Sequence, residues 1–375
     1  MIPFNKISYS NLEIKFIKDA LEKDSISGGG YFSKKCEKFI NKKFNFHSYL
    51  TTSCTASIEV ATLLGNFVPG DEIIMPSYTF VGSATPFTLR GCIPVFVDIN
   101  PDTQNIDEDK IEESITKKTK AILVVHYAGI SCDIDKIITL CKKYNLILIE
   151  DAAQALGSKY KNKFLGSFGE ISTFSFHDTK NITSGEGGLI NINEKNFISR
   201  AQIIIEKGTD RSKFLRGMVD KYTWQDIGSS FIPSELNAAF LYAQLLKFDD
   251  IQKERKKIWS IYKSLFDEIT SKYPVQLPFI PAYCEQNYHM FYVKLPSYKK
   301  RENAINYLKQ NNIQVVSHYQ PLHSSPAGKV LCRFSGEMRN TNNTSNTLIR
   351  LPLYIGLKYA DQENIINLLI KSLSV

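Results

Sequence analysis

LILIEDAAQALG, residues 146–157, is the stretch on which the reading of the fold turns. Its first four residues are apolar without alternation, so both faces of the segment must be buried, as in a strand covered by helices on each side. Asp151 then stands at the carboxyl end of that strand, where sheets of this kind bind their ligands. Upstream, Glu72–Met75, Ile93–Val97 and Ala121–His126 read as strands and join Leu146–Ile149. Between and before them Ala56–Leu64, Phe80–Leu89, Glu108–Ile115 and Asp135–Lys143 read as helices. Downstream, the strands Ile171–Phe176 and Gly188–Ile192 flank His177–Gly187, a polar, glycine-rich loop. Repeated strand–helix–strand units predict an α/β architecture with a mainly parallel sheet. After Pro233 come helical stretches at Glu235–Phe248 and Gln252–Ile269, then a mixed tail with a strand at Met290–Leu295 and a helix at Arg301–Asn311. The expected division is a large domain over 1–259 and a smaller C-terminal α+β domain over 260–375.

With 375 residues, 43% of them hydrophobic, the chain can bury a large core and carry a second lobe. Lys and Arg number 46 against 38 Asp and Glu, and the resulting +8 contains no block of like charges. That favours an anionic small ligand over nucleic acid. Seven cysteines without C-x-x-C spacing suggest neither a disulfide framework nor a Cys-ligated zinc site. No apolar run approaches the ~20 residues that span a bilayer, and MIPFNKISYS does not read as a secretory leader. A cytoplasmic location is expected.

Asp151 alone reads equally as a helix N-cap. Lys180 changes the balance: it follows Asp151 by 180 − 151 = 29 residues, in FSFHDTKNITSGEGG, directly after another buried strand. A lysine held near strand ends without a free path to solvent has a lowered pKa and becomes a nucleophile towards carbonyls, which a Schiff-base lysine requires. Pyridoxal phosphate also needs a carboxylate at its pyridine nitrogen, so that the ring serves as an electron sink. Asp151 and Lys180 meet both needs. TTSCTAS, residues 51–57, offers small hydroxyl residues where a strand gives way to a helix, and helix N-terminal amides bind phosphate. Ser53 or Thr55 as a plain N-cap is the simpler reading of that string. Phe80, in MPSYTF, reads as a ring wall or as core.

The order of EDAAQALG, FSFHDTKN, GEGG and MPSYTF along nearly the whole chain resembles the DegT/DnrJ/StrS family of sugar aminotransferases, within the fold-type-I pyridoxal-phosphate class. The resemblance implies that Lys180 carries the cofactor as its Schiff-base lysine, Asp151 pairs with the pyridinium and Gln154 hydrogen-bonds the 3′-oxygen. Cys54, Thr55 and Ser175 would hold the phosphate, and Phe80 would stack on the ring. It also implies a homodimer, L-glutamate as donor, and a nucleotide-linked 4-keto-6-deoxyhexose as acceptor. SCTAS, HYAG, FSFHDTKN, EKGTDRSKF and DKYTWQDIGSS resemble more closely the members that act on dTDP-4-dehydro-6-deoxy-D-glucose, and that resemblance implies dTDP-4-amino-4,6-dideoxygalactose as product, for a surface polysaccharide. Where the family often has Asn-aromatic-Arg before an Ala-Ala helix, this chain has Ser230-Phe231-Ile232. Members with His in place of the lysine are sugar dehydratases; Lys180 favours transamination.

On the substrate side, Lys207–Lys221 carries Lys207, Arg211, Lys213, Arg216 and Lys221 among glycines, a segment suited to a pyrophosphate by charge-assisted bonds or simply a solvated surface loop. Tyr319 and His323, in HYQPLH, read as residues facing the sugar. No metal is expected, since His318 and His323 lack acidic or Cys companions nearby. Three other readings compete: a sugar 3-aminotransferase, a non-catalytic regulator on the same fold, and a dinucleotide-binding oxidoreductase. The last lacks a G-x-G-x-x-G.

Overall fold

The computed structural model describes residues 1–23, 26–267, 269 and 272–374. Its strands, in chain order, are β1 (Ser48–Thr51), β2 (Glu72–Pro76), β3 (Ile93–Val97), β4 (Thr119–Val125), β5 (Ile147–Asp151), β6 (Lys159–Tyr160), β7 (Lys163–Phe164), β8 (Ile171–Ser175), β9 (Gly188–Ile192), β10 (Cys284–Glu285), β11 (Phe291–Lys294), β12 (Val316–Ser317), β13 (Arg333–Phe334) and β14 (Leu348–Leu351).

An eight-stranded sheet in the order β1-β9-β8-β5-β4-β2-β3-β13 forms the large lobe. It is parallel from β8 through β13, while β9 runs antiparallel to both β8 and β1. Successive side chains on a strand face opposite sides. Ile74, Ile122, Val124 and Leu148 accordingly pack on the helices Tyr31–Phe44 and Glu235–Leu246, and Ile73, Met75, Leu123 and Ile149 on the helices Cys54–Leu64 and Ile198–Ile205. The sheet is therefore covered on both faces, as its unalternating apolar strands require. Its topology brings the carboxyl ends of β1, β2, β4, β5 and β8 to one edge, because Thr51 and Ser175 both pair with Gly188.

A second core, including Ile258, Phe266, Phe291, Val293, Ile349 and Leu369, underlies the small lobe with its sheet β11-β14-β12. The helix Phe248–Asp267 runs unbroken through Ser260. Three segments tie the lobes together: Ile2 bridges Ile313, Arg333–Phe334 extend the large sheet beside β3, and β10 pairs with β6.

Several elements depart from the sequence reading. The helix expected at Phe80–Leu89 is a 3-10 turn, Val81–Ser83, followed by a short helix, Thr85–Leu89. Pro86 has no N–H to give to an upstream carbonyl, so one helix cannot run through. Glu108–Ile115 is two 3-10 turns, Glu108–Lys110 and Glu112–Ser114. Eight residues gain little from helical propagation, and the Glu108 carboxylate is engaged by the Asp133 amide instead. The basic segment contains a helical turn, Arg211–Leu215, braced by the Ser212 amide donating to Glu206. The two helices after Pro233 are Glu235–Leu246 and Phe248–Asp267, and residue 268 of the second expected helix lies outside the described residues.

Candidate active site

At the carboxyl edge of the large sheet lies a cavity of about 420 Å³, lined among others by Thr55, Phe80, Asp151, Gln154, Ser175 and Lys180. Asp151 ends β5 on the same face as Ile149, which turns it towards the helix Cys54–Leu64. Its Oδ2 accepts from Ser83 Oγ at 2.7 Å and its Oδ1 from the Ala153 amide at 3.1 Å. Burial raises its pKa above the usual carboxylate range, with those bonds and the Lys180 charge opposing. A carboxylate in that condition gains from a buried cation beside it.

Glu150, one residue earlier, faces the other side and is spoken for. It accepts from the amides of Gly166, Phe168 and Gly169 and lies 3.1 Å from His126 Nε2. Of two adjacent acids, only Asp151 is left open to a ligand, and strand alternation makes the choice.

Lys180 sits in the loop between β8 and β9, its amide donating to the His177 carbonyl. Asn181 ties this loop to the small lobe, donating to the Asn287 carbonyl at 2.8 Å with its Oδ1 2.9 Å from His289 Nδ1. Burial brings the Lys180 ammonium down to about 8; the nearby Arg350 charge acts in the same direction and Asp151 in the other. An appreciable neutral fraction at neutral pH is what a carbonyl nucleophile needs.

The helix Cys54–Leu64 opens onto the cavity. Ser53 is its N-cap, accepting from the Ala56 amide at 3.0 Å, so the simpler reading of that hydroxyl is the right one. The Cys54 and Thr55 amides make no protein hydrogen bond among the described residues, which leaves a helix N-terminus free for an anion. The Cys54 side chain also lines the cavity, with Sγ 3.5 Å from Thr173 Oγ1 and 4.0 Å from Asp151 Oδ1. Gly188 makes the arrangement possible: a Cβ there would lie 2.2 Å from the Ser53 carbonyl carbon and 2.5 Å from the Cys54 nitrogen. These features fit pyridoxal phosphate, with the helix end for its phosphate, Asp151 for its ring nitrogen and Lys180 for its aldehyde.

Other expected residues are distributed unevenly. Gln154 accepts from the Ala128 amide at 2.6 Å and donates to Tyr319 Oη at 3.0 Å, so Tyr319 does face the cavity. Phe80 lines the mouth and is 59% exposed, which separates it from the core. His323 does not line the cavity; its Nδ1 pairs with Ser77 Oγ at 2.7 Å. Arg211 also lies outside the lining. The sequence reading missed Ser83, His289 and Arg350, and considered His318 only as a metal ligand. Arg350 left a trace, as a charge inside the apolar run Leu348–Leu351. Among the described residues no helix is long and apolar enough to cross a membrane.

Comparisons with known proteins converge on the same chemistry. The profile of the DegT/DnrJ/EryC1/StrS aminotransferase family matches residues 8–370. The chain is 32% identical over 327 residues to the GDP-perosamine synthase of Escherichia coli O157:H7, covering 87% of this chain and 86% of that protein. It is 29% identical to the spore coat polysaccharide biosynthesis protein SpsC of Bacillus subtilis, covering 97% and 95%. The putative sugar aminotransferase Spr1654 of Streptococcus pneumoniae, solved in its PMP form, superposes with a TM-score of 0.90 at 26% identity over 100% of this chain and 99% of that one. The same protein in its PLP form gives 0.89. The chain therefore belongs to the DegT/DnrJ/EryC1/StrS aminotransferase family and is a pyridoxal-phosphate-dependent sugar aminotransferase.

Proposed function

We propose that the protein transfers the amino group of L-glutamate to C4 of dTDP-4-dehydro-6-deoxy-D-glucose, giving dTDP-4-amino-4,6-dideoxygalactose and 2-oxoglutarate. The observation that carries the reaction type is a single cavity holding a lysine of lowered pKa, a buried carboxylate and a free helix N-terminus. The C4 assignment and the dTDP group rest on the resemblance carried by SCTAS, HYAG, FSFHDTKN, EKGTDRSKF and DKYTWQDIGSS. A 3-aminotransferase would share every cofactor residue.

When bound, the cofactor supplies an electron sink for the carbanion at the donor's α-carbon. Asp151, oriented by Ser83 and Ala153, holds the ring nitrogen protonated. The Cys54 and Thr55 amides, with the Thr55 and Ser175 hydroxyls, bind the phosphate. Phe80 covers the ring and Gln154 fixes its 3′-oxygen. Lys180 Nζ takes the proton from the donor's α-carbon and later delivers one to the sugar carbon that receives nitrogen. Tyr319 bounds the hexose. Arg211 and its basic neighbours, outside their own cavity, serve the pyrophosphate in the cavity of a second copy, in a cytoplasmic homodimer.

The test is incubation with L-glutamate and a panel of dTDP-, UDP- and GDP-linked 3- and 4-keto-sugars, with products identified by NMR. The expected product is the dTDP-linked 4-amino-4,6-dideoxygalactose. Turnover confined to GDP-linked or 3-keto substrates would overturn the assignment.

A further inference from the structure

Asn181, the residue after Lys180, anchors its side chain outside its own loop. Its Nδ2 donates to the Asn287 carbonyl at 2.8 Å and to Gln252 Oε1 at 3.2 Å. A backbone carbonyl can only accept, so the Asn181 amide has one orientation, and its Oδ1 is the atom 2.9 Å from His289 Nδ1. Nδ1 of His289 therefore carries a hydrogen and donates it. Burial, then the charges of Lys180, Arg350, Arg255 and His318, hold this imidazole well below its ordinary pKa. The ring is neutral, and Nε2 keeps its lone pair as an acceptor.

His289 is 4% exposed and lines the same cavity as Lys180. Among the described residues its Nε2 makes no hydrogen bond, and neither does the Lys180 amine. After burial, Lys180 is the group that weighs most on the His289 ring. One cavity thus holds an acceptor without a donor and an amine without an acceptor. A buried ammonium left without an acceptor is costly.

We propose that His289 is a positioning residue for the reaction: its Nε2 accepts a hydrogen bond from the Lys180 amine whenever that amine is not bonded to the cofactor, and Asn181 fixes the tautomer that allows it. The inference rests on Lys180 being the reactive amine, as proposed above. Between half-reactions that amine must stay where it can move a proton. A fixed acceptor holds it there in both halves alike. Because Asn181 follows Lys180 in the chain and bonds His289 directly, one residue sets the spacing of amine and acceptor.

The experiment compares His289→Gln with His289→Asn. Glutamine can place an oxygen where Nε2 stands, whereas asparagine reaches only the position of Nδ1. The first readout is the pH dependence of carbonyl-reagent capture by apo-protein, with a wild-type midpoint of about 8. An acceptor favours the ammonium, so its loss in His289→Asn should move the midpoint down by about one unit, a tenfold change. His289→Gln should stay near wild type. Cys54, Asp151, Asp178 and Arg350 also act on the amine and are the same in both variants. A merely structural role would let water into the site and move the midpoint up, towards the ordinary lysine range. The second readout is single turnover. His289→Asn should slow both half-reactions about tenfold with KM unchanged, and His289→Gln should recover most of the loss. Equal midpoints in the two variants, an upward shift, or failure of both to take up cofactor would overturn the proposal. So would a loss confined to the keto-sugar half with a raised KM, which would make Nε2 a partner of a sugar hydroxyl. Borohydride labelling of the wild type separates the two readings. Label on another lysine would sink the assignment of the amine, while label on Lys180 with equal midpoints would remove the role of His289 alone.

Discussion

Lys180 and Asp151 divide the work at the residue scale, and each makes a distinct prediction. Borohydride treatment of the holoenzyme should fix the cofactor to Lys180, as read by peptide mapping, and Lys180→Ala should lose both that label and turnover. The loss of a proton-transferring group is expected to cost on the order of 10²–10⁴ in rate. The neutral amine is the reactive form, so the rate at which apo-protein captures a carbonyl reagent should rise with pH and level off above about 8. Removing the Asp151 charge should move that midpoint down, because the carboxylate favours the protonated ammonium. Asp151→Asn should retain cofactor and lose about 10²–10³ in both half-reactions, as for other removed electrostatic partners of a reacting group. Ser83→Ala tests orientation: it deletes one hydrogen bond to a charged group, worth ~1.5–3 kcal/mol, so a loss of about tenfold to a hundredfold is expected. Near-normal single-turnover rates in Asp151→Asn would make the residue a mere turn-former.

The helix Cys54–Leu64 and the strand β9 meet so closely at the element scale that only a glycine fits between them. Gly188→Ala would drive a methyl into the Ser53–Cys54 peptide and displace the free amides of the helix's first turn. Overpacking of this kind costs ~1–3 kcal/mol, which thermal melts should register. Cofactor affinity should drop in addition, by roughly tenfold or more if the phosphate depends on those amides. Equal affinity in the two proteins would mean that the phosphate is held elsewhere. The loop from Phe176 to Gly187 depends on its surroundings too: the Phe176 amide donates to the Gly187 carbonyl at 2.8 Å, and Asn181 anchors the middle to the small lobe. Lys180 is therefore placed by both lobes.

The question left at the scale of the whole molecule is where the basic segment acts. Arg211 lies outside its own cavity, while Met218, Trp224 and Ile227 in and after that segment are 66%, 81% and 55% exposed, as is Phe80 at 59%. Apolar groups so placed suit an interface between copies. Light scattering on active enzyme should give a dimer, and a fully active monomer would remove the premise. Complementation goes further. Arg211→Ala should weaken the keto-sugar half-reaction about tenfold to a hundredfold if the guanidinium clamps the pyrophosphate. Co-expressed with Lys180→Ala subunits, it should form heterodimers with one intact site if Arg211 serves the partner, because both defects then fall in the other site. If Arg211 serves its own cavity, no site is intact and no activity returns.

The apolar runs ending at Val97, Val125 and Ile149 determined by themselves that a parallel, doubly covered sheet would form, because unalternating strands have no face to give to water. The spacing of Asp151 and Lys180 behind two such strands made the cofactor chemistry legible, since strand ends converge in any sheet of this class. The sequence placed Asp151 at the strand end; strand parity and the donors to Glu150 explain why its acidic neighbour is not the one left open. The sequence did not mark Ser83, because that depends on which groups the packed chain leaves within bonding distance. Arg350 is the extreme case. It lies 350 − 180 = 170 residues beyond Lys180 in sequence, yet lines the same cavity, because the small lobe folds back over the edge of the sheet. Patterning is local and periodic, so a chain can write it plainly; the meeting of distant side chains is fixed only by tertiary packing.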